Sequence, residues 1–227
     1  MRFAEQLNDL TTKKPPLDPV SLDLDPVSLD QDFSKRKTNV LLHALPPVIT
    51  AVSGTDAHDR QELEAFIRAI FKRVHNAEIT HFMPKLMSVR DVDGQLLAAC
   101  GLRHADQGKL FLETYLDAPI ETLLSQHHQS NIARDAILEV GNLAVATPEN
   151  VRSLLASISV YLHSTHSEFA VFTGISTLRN SLTKLNMPLQ LLGEANINRI
   201  PAHERAAWGN YYKERPLVMA IRRMQPV

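Results

Sequence analysis

The run Ala136-Ile-Leu-Glu-Val-Gly-Asn-Leu-Ala-Val145 is apolar except at Glu139, Gly141 and Asn142. Burying a carboxylate in such a run is costly unless it has a partner or a task. Glu139 is therefore a candidate general base or orienting group for an amine; the alternative is a structural ion pair with Arg103 or Arg134. A glycine inside a strand marks a bulge or a close approach. A bulge at Gly141 brings Asn142 round to the face that Glu139 and Gly141 share. A second acid, Glu113, falls in Leu110–Leu116, which reads as a neighbouring strand with Phe111, Glu113 and Tyr115 on one face. Two carboxylates across a sheet either hold a cationic amine or sit in ion pairs, and Arg103 is the obvious counter-charge. Trp208-Gly209-Asn210-Tyr211-Tyr212 gathers aromatics in a chain where they make up only 6%. It is either a packed C-terminal lid or the source of a phenolic general acid at Tyr211 or Tyr212.

The elements that must position these groups follow from periodicity. Asp59 and Glu62 have capping-box spacing, and Leu63, Phe66, Ile67, Ile70, Phe71 and Val74 then mark one face of a helix. Leu86–Arg90 and Gln95–Leu102 flank Asp91-Val-Asp-Gly94 as a hairpin. Pro119–Gln126 predicts a short helix opened by Asp117. Ala136–Val145 predicts a strand, and a helix follows that is capped by Thr147 with Pro148 at its first position. Glu168–Gly174 reads as a parallel-type strand, Thr177–Leu185 as a helix opened by Ser176, and Leu189–Leu192 and Leu217–Ile221 as strands. The order predicts an α+β fold with a mixed, mostly antiparallel central sheet flanked by helices. Residues 59–227 form that domain, preceded by an N-terminal extension over 1–58. Leu17–Asp23 recurs as Leu24–Asp30, and its prolines predict disorder there, although Val40–Val52 is apolar enough to supply a first strand.

The 227 residues carry a net charge of −1, which excludes a surface built to neutralise nucleic-acid phosphates. Cys100 is the single cysteine, so an internal disulfide and multi-cysteine zinc sites are excluded. It reads as a small core residue. No apolar run approaches the ~18 residues of a membrane span, and the acidic N-terminus lacks the apolar core of a secretory signal. A cytoplasmic protein without integral membrane contact is expected. Walker, dinucleotide and Gly-x-Ser-x-Gly motifs are absent, and no metal site is expected.

Glu139-Val-Gly-Asn-Leu-Ala144, Leu110-Phe-Leu-Glu113 with Tyr115-Leu-Asp117, Phe172-Thr173, Leu178-Arg-Asn180 and Trp208-Gly-x-Tyr211-Tyr212 together resemble the thermostable hemolysin family. The likeness covers roughly residues 60–220. That family is similar to a branch of the GNAT acyltransferases, closest in layout to acyl-homoserine-lactone synthases. The resemblance implies a donor thioester in a V-shaped gap between the strands at 136–145 and 168–174. The donor is held along Gly141, Leu143, Ala144, Phe172 and Thr173, with Arg179 and Asn180 beside its pantetheine arm. It implies no tightly bound cofactor, only acyl-CoA or acyl-phosphopantetheine as donor substrate. Glu139 accepts the amine proton, Asn142 and backbone N–H groups hold the thioester oxygen, and Arg103 with Glu113 orients the acceptor. Tyr211 or Tyr212 protonates the leaving thiolate.

The chain departs from this pattern in two places. Related synthases carry Glu-x-x-Arg where Asn142 stands here. The usual phosphate-cradling loop is glycine-rich, whereas Ala146-Thr-Pro-Glu-Asn-Val-Arg152 has no glycine, one proline and one acid, and Arg152 is its only cation. A free pyrophosphate would be poorly held, which favours an acyl-carrier protein met by Arg152, Arg179 and Lys184. The leading expectation is an acyltransferase from carrier or CoA thioester to a small amine such as an amino acid. The alternatives are a membrane-damaging hemolysin and a non-catalytic module that binds acyl groups or a carrier.

Overall fold

The computed structural model describes residues 45–223; the duplicated heptapeptide and the disorder expected around it lie outside them. Leu63, Ile67, Ile70 and Phe71 bury one face of helix α1 (Arg60–His75), as their spacing requires. The capping box does not form. Asp59 sits at the N-cap without a side-chain bond, and Glu62 instead pairs with Arg90 at 2.6 Å, because a charge-assisted bond is stronger than one to an amide.

Strand β1 (Ile49–Ser53) lies within the apolar stretch ahead of the helix and pairs with β2 (Lys85–Arg90). β2 forms the expected hairpin with β3 (Leu96–His104). The chain then passes through helix α2 (Ile120–His128) to β4 (Ile137–Val145). A turn capped by Thr147 and Asn150 leads into α3 (Val151–Ser164), and β5 (Phe169–Gly174), α4 (Ser176–Lys184), β6 (Leu189–Glu194) and β7 (Leu217–Arg222) follow.

The seven strands lie in the order β1-β2-β3-β4-β5-β7-β6. Every neighbouring pair is antiparallel except β4 and β5. Strict alternation puts Met87, Cys100, Leu102, Leu138, Val140 and Phe172 in a core with Leu154, Ile158 and Leu182 of α3 and α4. On the other face Ile137, Phe169 and Val171 pack on Ile120 and Leu124 of α2, while Leu86, Ala99 and Ala144 pack beneath α1. Cys100 is a buried core residue, and burial pushes its thiol up to about 12.

The parallel pairing of β4 with β5 runs only from Ile137–Phe169 to Val140–Phe172. Beyond that point the strands part. β4 is bulged there, because Gly101 faces Gly141 while Ala99 faces Ala144, and Asn142 adopts φ 49°.

Candidate active site

Glu139 projects from β4 on the α1–α2 side of the sheet and is 3% exposed. Its Oε1 accepts the N–H of Leu112 at 2.8 Å and its Oε2 that of Phe111 at 3.0 Å. Burial pushes its pKa up; those two amides and the Arg103 charge oppose the rise without cancelling it. The ion pair with Arg103 or Arg134 does not form. Arg103 stands opposite Glu139 in the β3–β4 register but donates to the Lys109 carbonyl at 3.3 Å.

The strand expected over Leu110–Leu116 is not present: Leu112–Tyr115 is a single 3-10 turn. The amides that a ladder would use are taken by two carboxylates. Glu139 binds those of Phe111 and Leu112, and Glu113 Oε2 accepts the N–H of Leu110 at 2.8 Å. Phe111, Glu113 and Tyr115 consequently share no strand face.

Glu113 is 7% exposed at its side chain and paired with Arg134 at 2.8 Å. Its Oε1 also accepts the N–H of Ile120 at 3.0 Å, so Glu113, rather than Asp117, caps α2. Burial raises the Glu113 pKa, but Arg134 and the two amides outweigh it and hold the group below the ordinary value of 4.5. Arg134 further binds Glu121 at 2.6 Å and the carbonyls of Ala105 and Gly108 at 2.8 Å each. A cleft of about 470 Å³ opens beside this knot, lined by Lys109, Glu113, Asp117, Glu121 and Arg134 among others.

At the bulge Asn142 is on the Glu139 face, as expected, but its side chain is engaged. Oδ1 accepts the N–H of Met83 at 3.2 Å and Nδ2 donates to the His81 carbonyl at 3.3 Å. Gly141, Asn142 and Leu143 are half-buried and Ala144 is buried, all past the last residue of β4 that pairs with β5. Across the gap Phe172 is buried in the α3–α4 core. Thr173 Oγ1 is the one buried side-chain polar atom among the described residues that has no partner, and the neighbouring Thr173 carbonyl accepts from the Tyr211 hydroxyl at 3.3 Å.

The aromatic segment closes over this region. Gly209 has φ 52°, and a Cβ there would lie 2.3 Å from the His75 carbonyl at the end of α1. Only glycine fits, and the Asn210 N–H secures the junction on that same carbonyl at 2.7 Å. Trp208 stacks on Phe111 with centroids 5.7 Å apart, next to the amide that caps Glu139. The Tyr115 and Tyr212 hydroxyls are hydrogen-bonded to each other. Burial pushes the Tyr212 phenol up to about 12, and the bond from Tyr115 pulls the other way. Burial also raises Tyr211 and Tyr115, with the Tyr212 and Glu139 charges adding to the rise at Tyr115.

Arg152, Arg179, Asn180 and Lys184 are exposed on α3 and α4, helices that pack on the face of the sheet opposite Glu139. Sequence spacing gave no hint of Arg73. It lies 73 residues before Ala146, yet its Nη2 donates to the Ala146 carbonyl at 2.7 Å, so the β4–α3 loop has a second cation beside it. Met83 was equally invisible: it lies over Gly101 and Gly141, and only strand pairing brings those glycines together. Among the described residues no cluster of His, Cys, Asp or Glu could hold a metal ion, and no helix is long and apolar enough to cross a membrane.

This architecture is similar to that of solved acyl-transferring enzymes. The AHL synthase LasI has a TM-score of 0.54 at 12% identity, covering 79% of this chain and 92% of that one. FeeM, an N-acyl amino acid synthase from uncultured soil microbes, has a TM-score of 0.52 at 12% identity, covering 78% and 92%. BjaI, a CoA-dependent acyl-homoserine lactone synthase solved with SAM and isopentyl-CoA, has a TM-score of 0.51 at 9% identity, covering 79% and 85%. At such identities the likeness is one of fold, and the fold is GNAT-like. No curated protein is a detectable sequence relative. The profile described as Thermostable hemolysin matches residues 53–227, so the chain belongs to the thermostable hemolysin family.

Proposed function

We propose that this protein is an N-acyltransferase that moves an acyl group from an acyl-carrier protein or acyl-CoA thioester to a small amine such as an amino acid. The observation that carries the reading is Glu139, a buried carboxylate with a raised pKa and no ion pair, one residue before the point where β4 and β5 separate. The fold shared with LasI and BjaI, which are acyl-homoserine lactone synthases, and with FeeM, an N-acyl amino acid synthase, supports it.

In this reading the donor's pantetheine arm enters the splay and uses the free edge of β4 along Gly141, Leu143 and Ala144. Phe172 and Thr173 border it on β5, and Thr173 Oγ1 is free to bond it. The acceptor nitrogen attacks the thioester carbonyl. A C–N bond forms, the C–S bond breaks, the nitrogen's proton passes to the Glu139 carboxylate, and the thiolate takes a proton from a phenol. Tyr212 or Tyr211 supplies it, because both stay protonated through neutral pH. Backbone N–H groups hold the carbonyl oxygen, with Asn142 shaping the bulge that presents them. Arg103 orients the acceptor, and Glu113 fixes the turn around Glu139. No resident cofactor is needed, and such donors place the reaction in the cytoplasm.

Arg73, Arg152, Arg179 and Lys184 supply the positive face for a carrier's acidic surface. Arg152→Glu with Arg179→Glu should weaken carrier binding; unchanged binding would count against a carrier as donor. The family's description names a lytic protein. We propose that lysis, where it occurs, comes from an amphiphilic acyl-amine product.

The test is mass spectrometry of the protein mixed with acyl-carrier and acyl-CoA donors and an amino-acid mixture. Acyl-amine products that vanish in Glu139→Gln support the enzyme. Donor binding without turnover leaves a binding module, and leakage of liposomes by the protein alone leaves a direct lytic agent.

A further inference from the structure

Two glycines face each other across β3 and β4 at the bulge, Gly101 and Gly141. Their missing side chains form a trough, and Met83 lies in it. A Cβ on Gly101 would fall 2.8 Å from Met83 Cβ, and one on Gly141 would fall 2.4 Å from Met83 Cε. The thioether end therefore rests beside the first β4 residue that has no partner on β5, on the same face as Glu139.

The backbone of Met83 is pinned from both sides. Its N–H donates to Asn142 Oδ1 at 3.2 Å, and its carbonyl accepts from buried Arg60 Nη2 at 2.8 Å. Arg60 Nη1 also holds the Pro84 carbonyl at 3.2 Å. Only the side chain is free to move, and methionine is unbranched, with three rotatable bonds and a polarizable sulfur. Ile79, Leu86, Ala99 and Ala144 belong to the adjoining core under α1, while at the Gly101 end the trough also meets Asn142 Oδ1, already engaged by the Met83 N–H. A hydrocarbon suits such a trough, whereas the charged ends of an amino acid do not.

We propose that Met83 is the plug that sets the acyl-chain length accepted at this site. The thioester's chain runs from the apex of the splay into the trough over Gly141 and Gly101 as far as the Met83 side chain permits. This rests on the acyltransferase reading above. Met83→Ala withdraws Cγ, Sδ and Cε, room for about three methylenes, and each methylene accommodated in an apolar pocket changes kcat/KM by about tenfold or more.

The test is kcat/KM for a series of saturated acyl-CoA and acyl-carrier donors, from four to sixteen carbons, with an amino-acid mixture as acceptor. Met83→Ala and the milder Met83→Val should move the optimum to longer chains, with the long-to-short ratio rising at least about tenfold in the alanine variant. Gly141→Ala should move it the other way, since its methyl pushes Met83 Cε off its seat over Gly141 and into the path of the chain. Thermal melts identify the folded variants, and Met83→Val carries the test if alanine does not fold. Folded variants that transfer acyl groups with the unaltered length profile overturn the plug and leave the acyltransferase standing. A wild-type protein that transfers no chain of any length overturns both.

Discussion

Arg103 is the register partner of Glu139 across β3 and β4, yet the two form no ion pair. The carboxylate takes the amides of Phe111 and Leu112 instead, so it is oriented by neutral donors while the guanidinium charge acts at longer range. An ion pair would hold Glu139 permanently ionised. Burial outweighs the amides, so its proton affinity is raised above that of an ordinary carboxylate, the direction a general base requires.

A pH profile should report this arrangement. As pH falls through the raised Glu139 pKa, the base is protonated and kcat/KM should decline, with its midpoint above the ordinary carboxylate value of 4.5. Glu139→Gln should lower kcat by about 10²–10⁴-fold and abolish that acid limb. A retained limb in the glutamine variant would assign it to another group.

The Glu113–Arg134 knot has a different signature, one of stability. The folded pKa of Glu113 is depressed below its unfolded value, so its contribution is complete above about pH 4.5 and is lost as pH falls through the folded pKa. Glu113→Gln should cost about 2–3 kcal/mol at neutral pH, since it leaves Arg134 partly unpaired at 27% exposure. The gap between variant and wild type in urea unfolding should narrow in acid. A constant gap across pH would contradict the assigned charge state.

Removing the hydroxyl of Tyr212 separates chemistry from packing. Tyr212→Phe should lower kcat by about 10²-fold or more if this phenol protonates the thiolate. Because burial holds it up to about 12, the wild type should show no alkaline limb from this group below pH 10. Tyr115→Phe removes only the neighbour and should have the smaller effect. Equal losses in the two variants would reassign the role to the hydroxyl pair as a whole.

Arg73→Ala should raise KM for phosphate-bearing donors about three- to tenfold with a smaller change in kcat, and the wild-type KM should itself rise with salt. The physical basis is the guanidinium fixed on the Ala146 carbonyl. A KM that responds to neither the substitution nor salt would place the donor's phosphate elsewhere.

Much of this framework is legible in the residues. Helix α1, the β2–β3 hairpin, β4 through β7 and the bulge at Gly141 follow from alternation, 3.6-residue spacing and a glycine beside polar residues. These signals are local, and backbone geometry enforces them wherever the segment ends up. Glu139 is conspicuous for the same reason, as an acid in an apolar run.

The sequence could not reveal who takes each hydrogen bond, because those partners are brought together by the sheet. Leu110–Leu116 has strand-like content, but Glu139 and Glu113 claim its amides and turn it into a 3-10 turn. Asn142 is recognisable as a bulge residue, but its grip on His81 and Met83 depends on a strap some sixty residues earlier. By itself the sequence determined the order of elements outside Leu110–Leu116, the acid in the apolar run of β4 and the glycine-free loop after it, with Arg152 as its one cation. Only the tertiary structure decided that Glu139 stays unpaired, that Glu113 is bound into a structural knot, and that Met83 fills the trough beside the splay. Periodicity decides which face a residue occupies, whereas long-range packing decides what meets it there.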